Sequence, residues 1–203
     1  MRILLVTATE GEIEGLRPDL KSHVDVLVTG VGMVATAARC SRALALTRYD
    51  LALNVGVCGS FDRTLAPGTV VHIVRDQIAE LGAEDDDGFV SVEQIQLPAE
   101  WTFVNSAPPP LDALRALPAV NAITVNTVHG NDRSIAAVIE RLRPEVESME
   151  GAAFMSACLI SNVTFAQVRA VSNLVERRNR GAWRVAEAIE RLAETTRRIL
   201  DET

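Results

Sequence analysis

The sequence has few features of a disulfide-bonded, membrane-spanning or metal-binding protein. Its three cysteines, at positions 40, 58 and 158, are odd in number and embedded in apolar sequence. We therefore expect reduced structural thiols, as in a cytoplasmic protein. The three histidines are equally scattered, so the sequence predicts no metal site. No segment reaches the roughly 18 apolar residues of a membrane helix, and the first ten residues, which end at Glu10, do not resemble a signal peptide.

Lysine is also scarce, and the chain is acidic. The net charge is −7, and Lys21 is the only lysine among the 203 residues. An acidic chain without a basic stripe is poorly suited to a nucleic-acid backbone. We therefore expect neither nucleic acid nor a membrane as a partner. Hydrophobic residues make up 48% of the chain and charged residues 23%, which is typical of a packed globular protein.

The hydrophobic pattern predicts alternating strands and helices. Strands are expected over residues 3–7, 24–29, 51–57, 69–74, 119–125 and 164–171, and helices over 10–16, 33–46, 134–142, 151–160 and 182–200. This order predicts a single α/β domain over residues 1–203, with a mixed, twisted central sheet flanked by helices. The strand-rich region 51–92 favours strong curling, with a break at Gly56 and Gly59. The acidic segment 84–88 is expected to be a solvated turn.

Two glycine-rich segments follow predicted strands. Residues 30–35 fit the pattern G-x-G-x-x-A of a dinucleotide-binding turn, but the next strand lacks the acidic residue that this site requires. A tight turn with close backbone packing is the favoured interpretation. Residues 54–60, which include Cys58 and Gly59, could bring the backbone against a ligand or form a β-bulge.

Several polar residues could carry chemistry, and each has a structural alternative. Glu10 or Glu12, after the first strand, could be a general base or a surface charge. Glu150 could accept hydrogen bonds from two adjacent ribose hydroxyls, or serve as a charge at a helix N-terminus. The pair Ser172–Asn173 could contact a heterocycle or cap a helix. Arg177 and its neighbours could meet an anionic group or solvate a loop.

The order of these motifs resembles the purine nucleoside phosphorylase and nucleosidase superfamily. The motifs are T-A-T-E-G-E (7–12), T-G-V-G-M (29–33), N-V-G-V-C-G (54–59), S-M-E-G-A-A (148–153) and R-A-V-S-N (169–173). Segments 76–88, 125–128, 147–153 and 172–183 are most similar to the futalosine hydrolase family. The resemblance extends over essentially the whole chain and implies a nucleoside phosphorylase-like fold.

The resemblance also implies roles for individual residues. Glu12 matches the residue that activates the attacking water, and Glu150 the one that binds the ribose hydroxyls, with Met149 packing on the sugar. Ser172 and Asn173 match the pair at the purine. The walls of the sugar and base sites are implied to include Cys58, Gly59, Val128 and His129, and Arg177 is a candidate for the substrate carboxylate. The implied enzyme uses no metal or organic cofactor and is a homodimer or homotetramer.

One departure from the superfamily bears on the substrate. Methylthioadenosine nucleosidases have an aspartate where this chain has Asn173, and an amide cannot donate a proton to a leaving adenine. The pattern therefore favours a 6-oxopurine such as hypoxanthine. The expected reaction is hydrolysis of futalosine to hypoxanthine and dehypoxanthine futalosine, a step of menaquinone biosynthesis. The alternatives are a nucleosidase or phosphorylase of the same fold acting on methylthioadenosine, S-adenosylhomocysteine or inosine, and a non-catalytic nucleoside-binding module.

Overall fold

A curled eight-stranded sheet lies at the centre of the computed structural model, which describes residues 1–86 and 88–203. The strands are β1 (Ile3–Thr7), β2 (Val24–Val28), β3 (Leu51–Ser60), β4 (Val70–Ile78), β5 (Gly82–Asp85), β6 (Gly88–Ser91), β7 (Thr102–Val104), β8 (Ala119–Thr124), β9 (Val146–Ser148) and β10 (Phe165–Leu174). The helices are α1 (Met33–Leu46), α2 (Asp112–Arg115), α3 (Asp132–Leu142), α4 (Gly151–Ile160) and α5 (Val185–Asp201). Short 3₁₀ turns cover Glu10–Glu12, Arg17–Asp19 and Arg180–Ala182.

The sheet closes on itself at β3. The strand order is β10-β4-β8-β9-β3-β1-β2, β3 also pairs with β10, and β7 pairs with β4. The pairs β1–β2, β1–β3, β3–β10, β4–β8 and β8–β9 are parallel, whereas β4–β10, β3–β9 and β4–β7 are antiparallel. The predicted mixed, twisted and strongly curled sheet flanked by helices is thereby confirmed.

Two local predictions are wrong. The strand β3 does not break at its glycines but continues to Ser60, because β10 and β9 pair with it there. The predicted helix over 10–16 is only a 3₁₀ turn at Glu10–Glu12. Glycines at 11 and 15 and a proline at 18 disfavour a longer helix in this segment.

The acidic segment 84–88 is a turn only in part: Glu84 and Asp85 end β5 and Gly88 begins β6, and the two strands form a separate antiparallel hairpin. Glu84 and Asp85 are exposed strand residues, and Asp86 lies in the turn with a left-handed φ of 54°. Asp87 lies outside the described residues.

Helices cover both faces of the sheet. The helix α5 packs Ala188, Leu192 and Ile199 against β1, β3 and β10, whereas α1 and α4 pack against the other face. The three cysteines are free and buried. In the described part of the chain, no helix combines the length and the apolar character needed to span a membrane.

The strand β10 carries an irregularity close to its end. Val171 pairs with Cys58 and Asn173 with Gly59, so that Ser172 is an extra residue relative to β3. This two-against-one arrangement is a β-bulge. It lies at the edge of the sheet where the carboxyl ends of β1, β3 and β10 meet.

Candidate active site

A cavity of about 300 Å³ opens at this edge of the sheet. In α/β folds, ligands commonly bind beyond the carboxyl ends of the parallel strands. The predicted site residues that line the cavity are Glu12, Cys58, Gly59, Val128, Met149, Glu150, Ser172 and Asn173. The fold therefore brings together segments from both ends of the chain.

Glu12 is a buried carboxylate at the inner end of the cavity. Its Oε2 accepts hydrogen bonds from the Thr7 hydroxyl (2.9 Å) and from the backbone N–H (3.0 Å) and hydroxyl (3.2 Å) of Thr9. Its Oε1 accepts one from the backbone N–H of Val57 at 3.1 Å. The 3₁₀ turn places Glu12 three residues after Thr9, in a capping box. These contacts fix the carboxylate in one orientation.

Arg169 lies beside Glu12, although the two residues are far apart in the sequence. The strand register pairs Arg169 with Gly56, and a Cβ at Gly56 would overlap Nη1 of Arg169 and lie 2.8 Å from Oε1 of Glu12. Arg169 is 1% exposed, and its Nη1 has no hydrogen-bond partner in the described part of the chain. Nη1 of Arg169 and Oε1 of Glu12 thus flank the same point beside Gly56, although the two groups form no direct ion pair.

Glu150 is held by the first glycine-rich turn. It precedes α4, and its Oε1 accepts a hydrogen bond from the backbone N–H of Gly32 at 3.0 Å. Gly30 and Gly32 have φ values of 79° and 99°, which residues with a side chain rarely adopt. The expected tight turn is present, and it also orients Glu150, with Oε2 left to accept hydrogen bonds from a ligand.

Ser172 and Asn173 are joined to each other and to β3. The Ser172 hydroxyl lies 3.1 Å from the carbonyl oxygen of Cys58 and 2.8 Å from Oδ1 of Asn173. The Asn173 amide donates to the carbonyl of Leu174 at 3.0 Å. Burial raises the pKa of Cys58 to about 12, so its thiol is a neutral part of the wall.

His129 does not line the cavity directly but contacts a residue that does. Its Nδ1 lies 2.6 Å from Oε2 of Glu147, and its backbone N–H donates to Oε1 of the same carboxylate at 3.0 Å. Glu147 is 3% exposed, lines the cavity and lies next to Gly59. The His129–Glu147 pair therefore supports the wall of the cavity near Asn173.

The outer part of the cavity is apolar. It is formed by Val31, Trp183, Val185 and Ile189, which the sequence did not indicate as site residues. Arg177 is exposed and does not line the cavity. Its neighbour Arg178 lies over the Trp183 ring, with 5.6 Å between the guanidinium carbon and the ring centroid.

The charged side chains in the cavity wall are all acidic among the described residues: Glu12, Glu147 and Glu150. No group of three histidine, cysteine, aspartate or glutamate residues in the described ranges could hold a metal ion. The cavity thus presents carboxylates and apolar surface, which suits a neutral polyhydroxylated ligand with a planar base.

Comparison with known proteins agrees with this geometry. A family model described as the phosphorylase superfamily matches residues 7–203. Fold and site therefore define an enzyme of this superfamily.

The futalosine hydrolase of Streptomyces coelicolor is 33% identical over 181 residues, which cover 84% of this chain and 75% of that protein. The futalosine hydrolase of Thermus thermophilus is 30% identical over 182 residues, which cover 87% and 80%. The chain belongs to the futalosine hydrolase family and is a hydrolase of N-glycosyl bonds.

Solved structures share the fold at low sequence identity. The 5′-methylthioadenosine/S-adenosylhomocysteine nucleosidase of Neisseria meningitidis, in complex with methylthio-immucillin-A, matches with a TM-score of 0.83 and 16% identity, covering 100% of this chain and 99% of that one. The native futalosine hydrolase of Helicobacter pylori matches with a TM-score of 0.83 and 12% identity, covering 100% and 98%. The nucleoside phosphorylase-like fold expected from the motifs is thereby confirmed.

Proposed function

We propose that this protein hydrolyses the N-glycosidic bond of futalosine and releases hypoxanthine and dehypoxanthine futalosine, a step of menaquinone biosynthesis. Residues 1–203 act as one nucleoside hydrolase domain. The relatives at 30–35% identity support the substrate, since they carry the name futalosine hydrolase. The reaction requires no metal or organic cofactor.

The single observation that carries the choice of water over phosphate is the charge of the cavity. Its described wall holds the carboxylates of Glu12, Glu147 and Glu150 and no cationic side chain. A phosphate dianion would be repelled by these carboxylates, and Arg169, whose Nε and Nη2 are already hydrogen-bonded, could offer it only one nitrogen. Water is neutral and is not repelled by these carboxylates, so hydrolysis is favoured over phosphorolysis.

The substrate is held at its sugar and its base. Glu150, already fixed through Gly32, accepts hydrogen bonds from the 2′- and 3′-hydroxyls of the ribose, and Met149 packs on the sugar. Asn173 and Ser172 hydrogen-bond the purine and stabilise the negative charge that develops as it leaves. An amide at position 173 suits hypoxanthine better than adenine, because it cannot give up a proton.

Water is delivered by Glu12 with help from Arg169. Bond cleavage sends the electron pair of the C–N bond to the purine and gives the ribose oxocarbenium character. Glu12 removes a proton from the attacking water as the oxygen joins the anomeric carbon. The departing purine takes up a proton from solvent, and Glu12 then releases its own proton to solvent. The unpaired Nη1 of Arg169, close to Oε1 of Glu12, holds the water in place.

We further propose a cytoplasmic homo-oligomer, a dimer or a tetramer. The free cysteines support a reducing compartment. Exposed apolar side chains on α1 and α4 support association: Val34 is 83% exposed, Leu46 73% and Ile160 78%. Light scattering coupled to size exclusion distinguishes a monomer from a dimer or a tetramer.

The substrate is tested by incubation with a nucleoside panel, with and without phosphate. The panel contains futalosine, inosine, methylthioadenosine and S-adenosylhomocysteine, and the products are separated by chromatography. We expect hypoxanthine from futalosine at a rate independent of phosphate. Release of adenine alone, or a product that forms only with phosphate, would favour the nucleosidase or phosphorylase alternative.

A non-catalytic nucleoside-binding module is tested with Glu12→Gln. The amide keeps the size of the side chain but cannot accept a proton from water. General-base catalysis contributes about 10²–10⁴-fold, so hydrolysis should fall by that factor while nucleoside binding is retained. A wild-type protein that binds futalosine by calorimetry without converting it would establish the binding module instead.

A further inference from the structure

Five polar side chains form a connected cluster in the interior behind the cavity. These residues, which we call the buried polar network, are Asn54, Asp76, Thr124, Gln167 and Arg169. Each is at most 1% exposed. Buried polar groups are costly unless they are hydrogen-bonded, so a network of this size beneath a cavity calls for an explanation.

The hydrogen bonds of the network run from β4 to β10. Gln167 donates through Nε2 to Oδ2 of Asp76 at 3.1 Å and accepts through Oε1 from Nε of Arg169 at 3.1 Å. Nη2 of Arg169 donates to Oδ1 of Asn54, whose own amide donates to the carbonyl of Val6 at 3.1 Å. Two of the three guanidinium nitrogens are thereby fixed, and the third, Nη1, is left toward Glu12.

The other oxygen of Asp76 is connected to the helix that follows Glu150. The Thr124 hydroxyl donates to Oδ1 of Asp76 at 2.8 Å and accepts from the backbone N–H of Ala152 at 2.8 Å. A Cβ on Gly151 would overlap Oδ2 of Asp76 and Oε1 of Gln167. The glycine therefore lets the start of α4 lie directly against the network.

We infer that Asp76 and Gln167 are positioning residues for the hydrolytic reaction. They hold the Arg169 guanidinium in place across Gly56 from Glu12, and through Thr124 they hold the start of α4, and with it Glu150, at the sugar. This inference rests on the proposed function of the site. Neither side chain lines the cavity, so both act through the groups that do.

The order of donors and acceptors depends on the charge of Asp76. As a carboxylate it accepts from both Gln167 and Thr124, which orients the Gln167 oxygen toward Arg169. Burial raises the pKa of Asp76 to about 6, opposed by its hydrogen bonds and by Arg169. A proton on Oδ2 would face the Gln167 N–H, and the amide would have to rotate, which removes the acceptor of Arg169.

Other charged or titratable groups lie on neighbouring elements and are the same in the wild type and in the variants. They are Arg169 on β10, Glu12 across Gly56, Glu150 before α4 and, further back on β4, His72. Burial lowers the pKa of His72 to about 4, so this histidine is neutral over the range tested below.

The test is steady-state hydrolysis of futalosine between pH 5 and 8 by the wild type and by Asp76→Asn. We expect kcat of the variant to be about tenfold to a hundredfold lower at pH 7.5, as for a small misplacement of catalytic groups, with KM within about twofold. The wild-type kcat should fall below about pH 6, and this acid limb should be absent from the variant.

The matched control is Gln77→Leu. Gln77 is the next residue on β4, is also buried and donates to the Thr102 hydroxyl at 3.1 Å, away from the network. Its kcat and pH profile should equal those of the wild type. If Asp76→Asn is insoluble, Gln167→Met breaks the same connection and should give the same loss of kcat with KM retained.

Two results would overturn the inference. One is an unchanged kcat in Asp76→Asn. The other is a lower kcat that still falls below about pH 6. A smaller fraction of folded protein would lower kcat equally at every pH, and so would leave the shape of the pH profile unchanged. If the wild type does not cleave futalosine, the proposed substrate is wrong, and the same variants are then compared on whichever nucleoside of the panel is cleaved.

Discussion

At Gly56 the backbone of β3 lies directly against two side chains of the proposed water site, Glu12 and Arg169. A Cβ there would overlap Nη1 of Arg169 and approach Oε1 of Glu12 to 2.8 Å. Since both side chains are fixed by other hydrogen bonds, neither can move away without loss of its partners. The glycine is thus required by the side chains that converge on it.

We expect Gly56→Ala to lower kcat by about tenfold or more, because Glu12 or Arg169 must shift. Its free energy of unfolding should fall by about 1–3 kcal/mol, as for other overpacked sites. Kinetics and urea unfolding measure the two effects. The control is Gly15→Ala, where a Cβ would meet nothing within 4 Å; equal behaviour of both variants would contradict the crowding described here.

Glu150→Gln separates the observed contact of that carboxylate with Gly32 from its proposed function at the ribose. The amide oxygen can still accept from Gly32, but the charged acceptor for the ribose hydroxyls is lost. Hydrogen bonds to charged groups contribute about 1.5–3 kcal/mol each, so kcat/KM should fall roughly a hundredfold. The variant should lose less on a 2′-deoxy analogue of the substrate than on the ribonucleoside. The same loss on both compounds would argue against contact with the 2′-hydroxyl.

The sequence identified residues whose signal is local. Glu12 and Glu150 stand in short motifs, and the structure places both in the cavity wall. Arg169 was missed as a site residue, because its place next to Glu12 depends on the pairing of β3 with β10. A usable signal was present, since Gln167 and Arg169 are polar residues inside an otherwise apolar buried strand.

Among the single elements, the helix α5 contributes residues both to the hydrophobic core and to the wall of the cavity. Its buried face packs Ala188, Leu192 and Ile199 on the sheet, while Val185 and Ile189 in its first turns line the cavity. The stability of this helix and the shape of the outer cavity are therefore connected.

We expect Leu192→Ala to reduce the free energy of unfolding by about 2–5 kcal/mol, since Leu192 is 1% exposed and its removal leaves a cavity in the core. Urea unfolding provides the value. Glu194→Ala, on the exposed side of the same helix, should change it by less than about 0.5 kcal/mol. If the free energy of unfolding of Leu192→Ala fell by as little as that of the control, packing of α5 would not contribute to the stability of the core.

Helices and strands with a clear hydrophobic pattern were predicted well, whereas a strand that forms only by pairing with other strands was not. The bounds of α1 and α4 agree with the prediction, because each begins after a glycine-rich or polar segment and has continuous small or apolar residues. The short strand β9 was missed, since three residues give no period and it forms by pairing with β3 and β8.

For the whole molecule, two buried groups have opposite effects on stability as the pH changes. Burial raises the pKa of Asp76 from 3.8 to about 6, so its contribution to folding becomes less favourable as the pH rises through this range. Burial lowers the pKa of His72 from 6.5 to about 4, so its contribution becomes more favourable over nearly the same range. Each amounts to about 3 kcal/mol, and the two nearly cancel.

Asp76→Asn should uncover this compensation. Without the Asp76 carboxylate, only the pH dependence due to His72 remains. The free energy of unfolding of the variant should therefore rise by up to about 3 kcal/mol between pH 4 and 6.5, relative to the wild-type curve. Urea unfolding at several pH values measures the difference. Parallel curves for the two proteins would show that Asp76 has the same pKa folded and unfolded.

The extra residue in β10 affects how the cavity could bind a purine base. Along a regular strand, neighbouring side chains point to opposite faces of the sheet. At the bulge, Ser172 and Asn173 together oppose Gly59, and both reach the same cavity, with the hydroxyl of one against the amide of the other. A single inserted residue thus lets two consecutive side chains face the proposed purine position, and its removal would turn one of them away from the cavity.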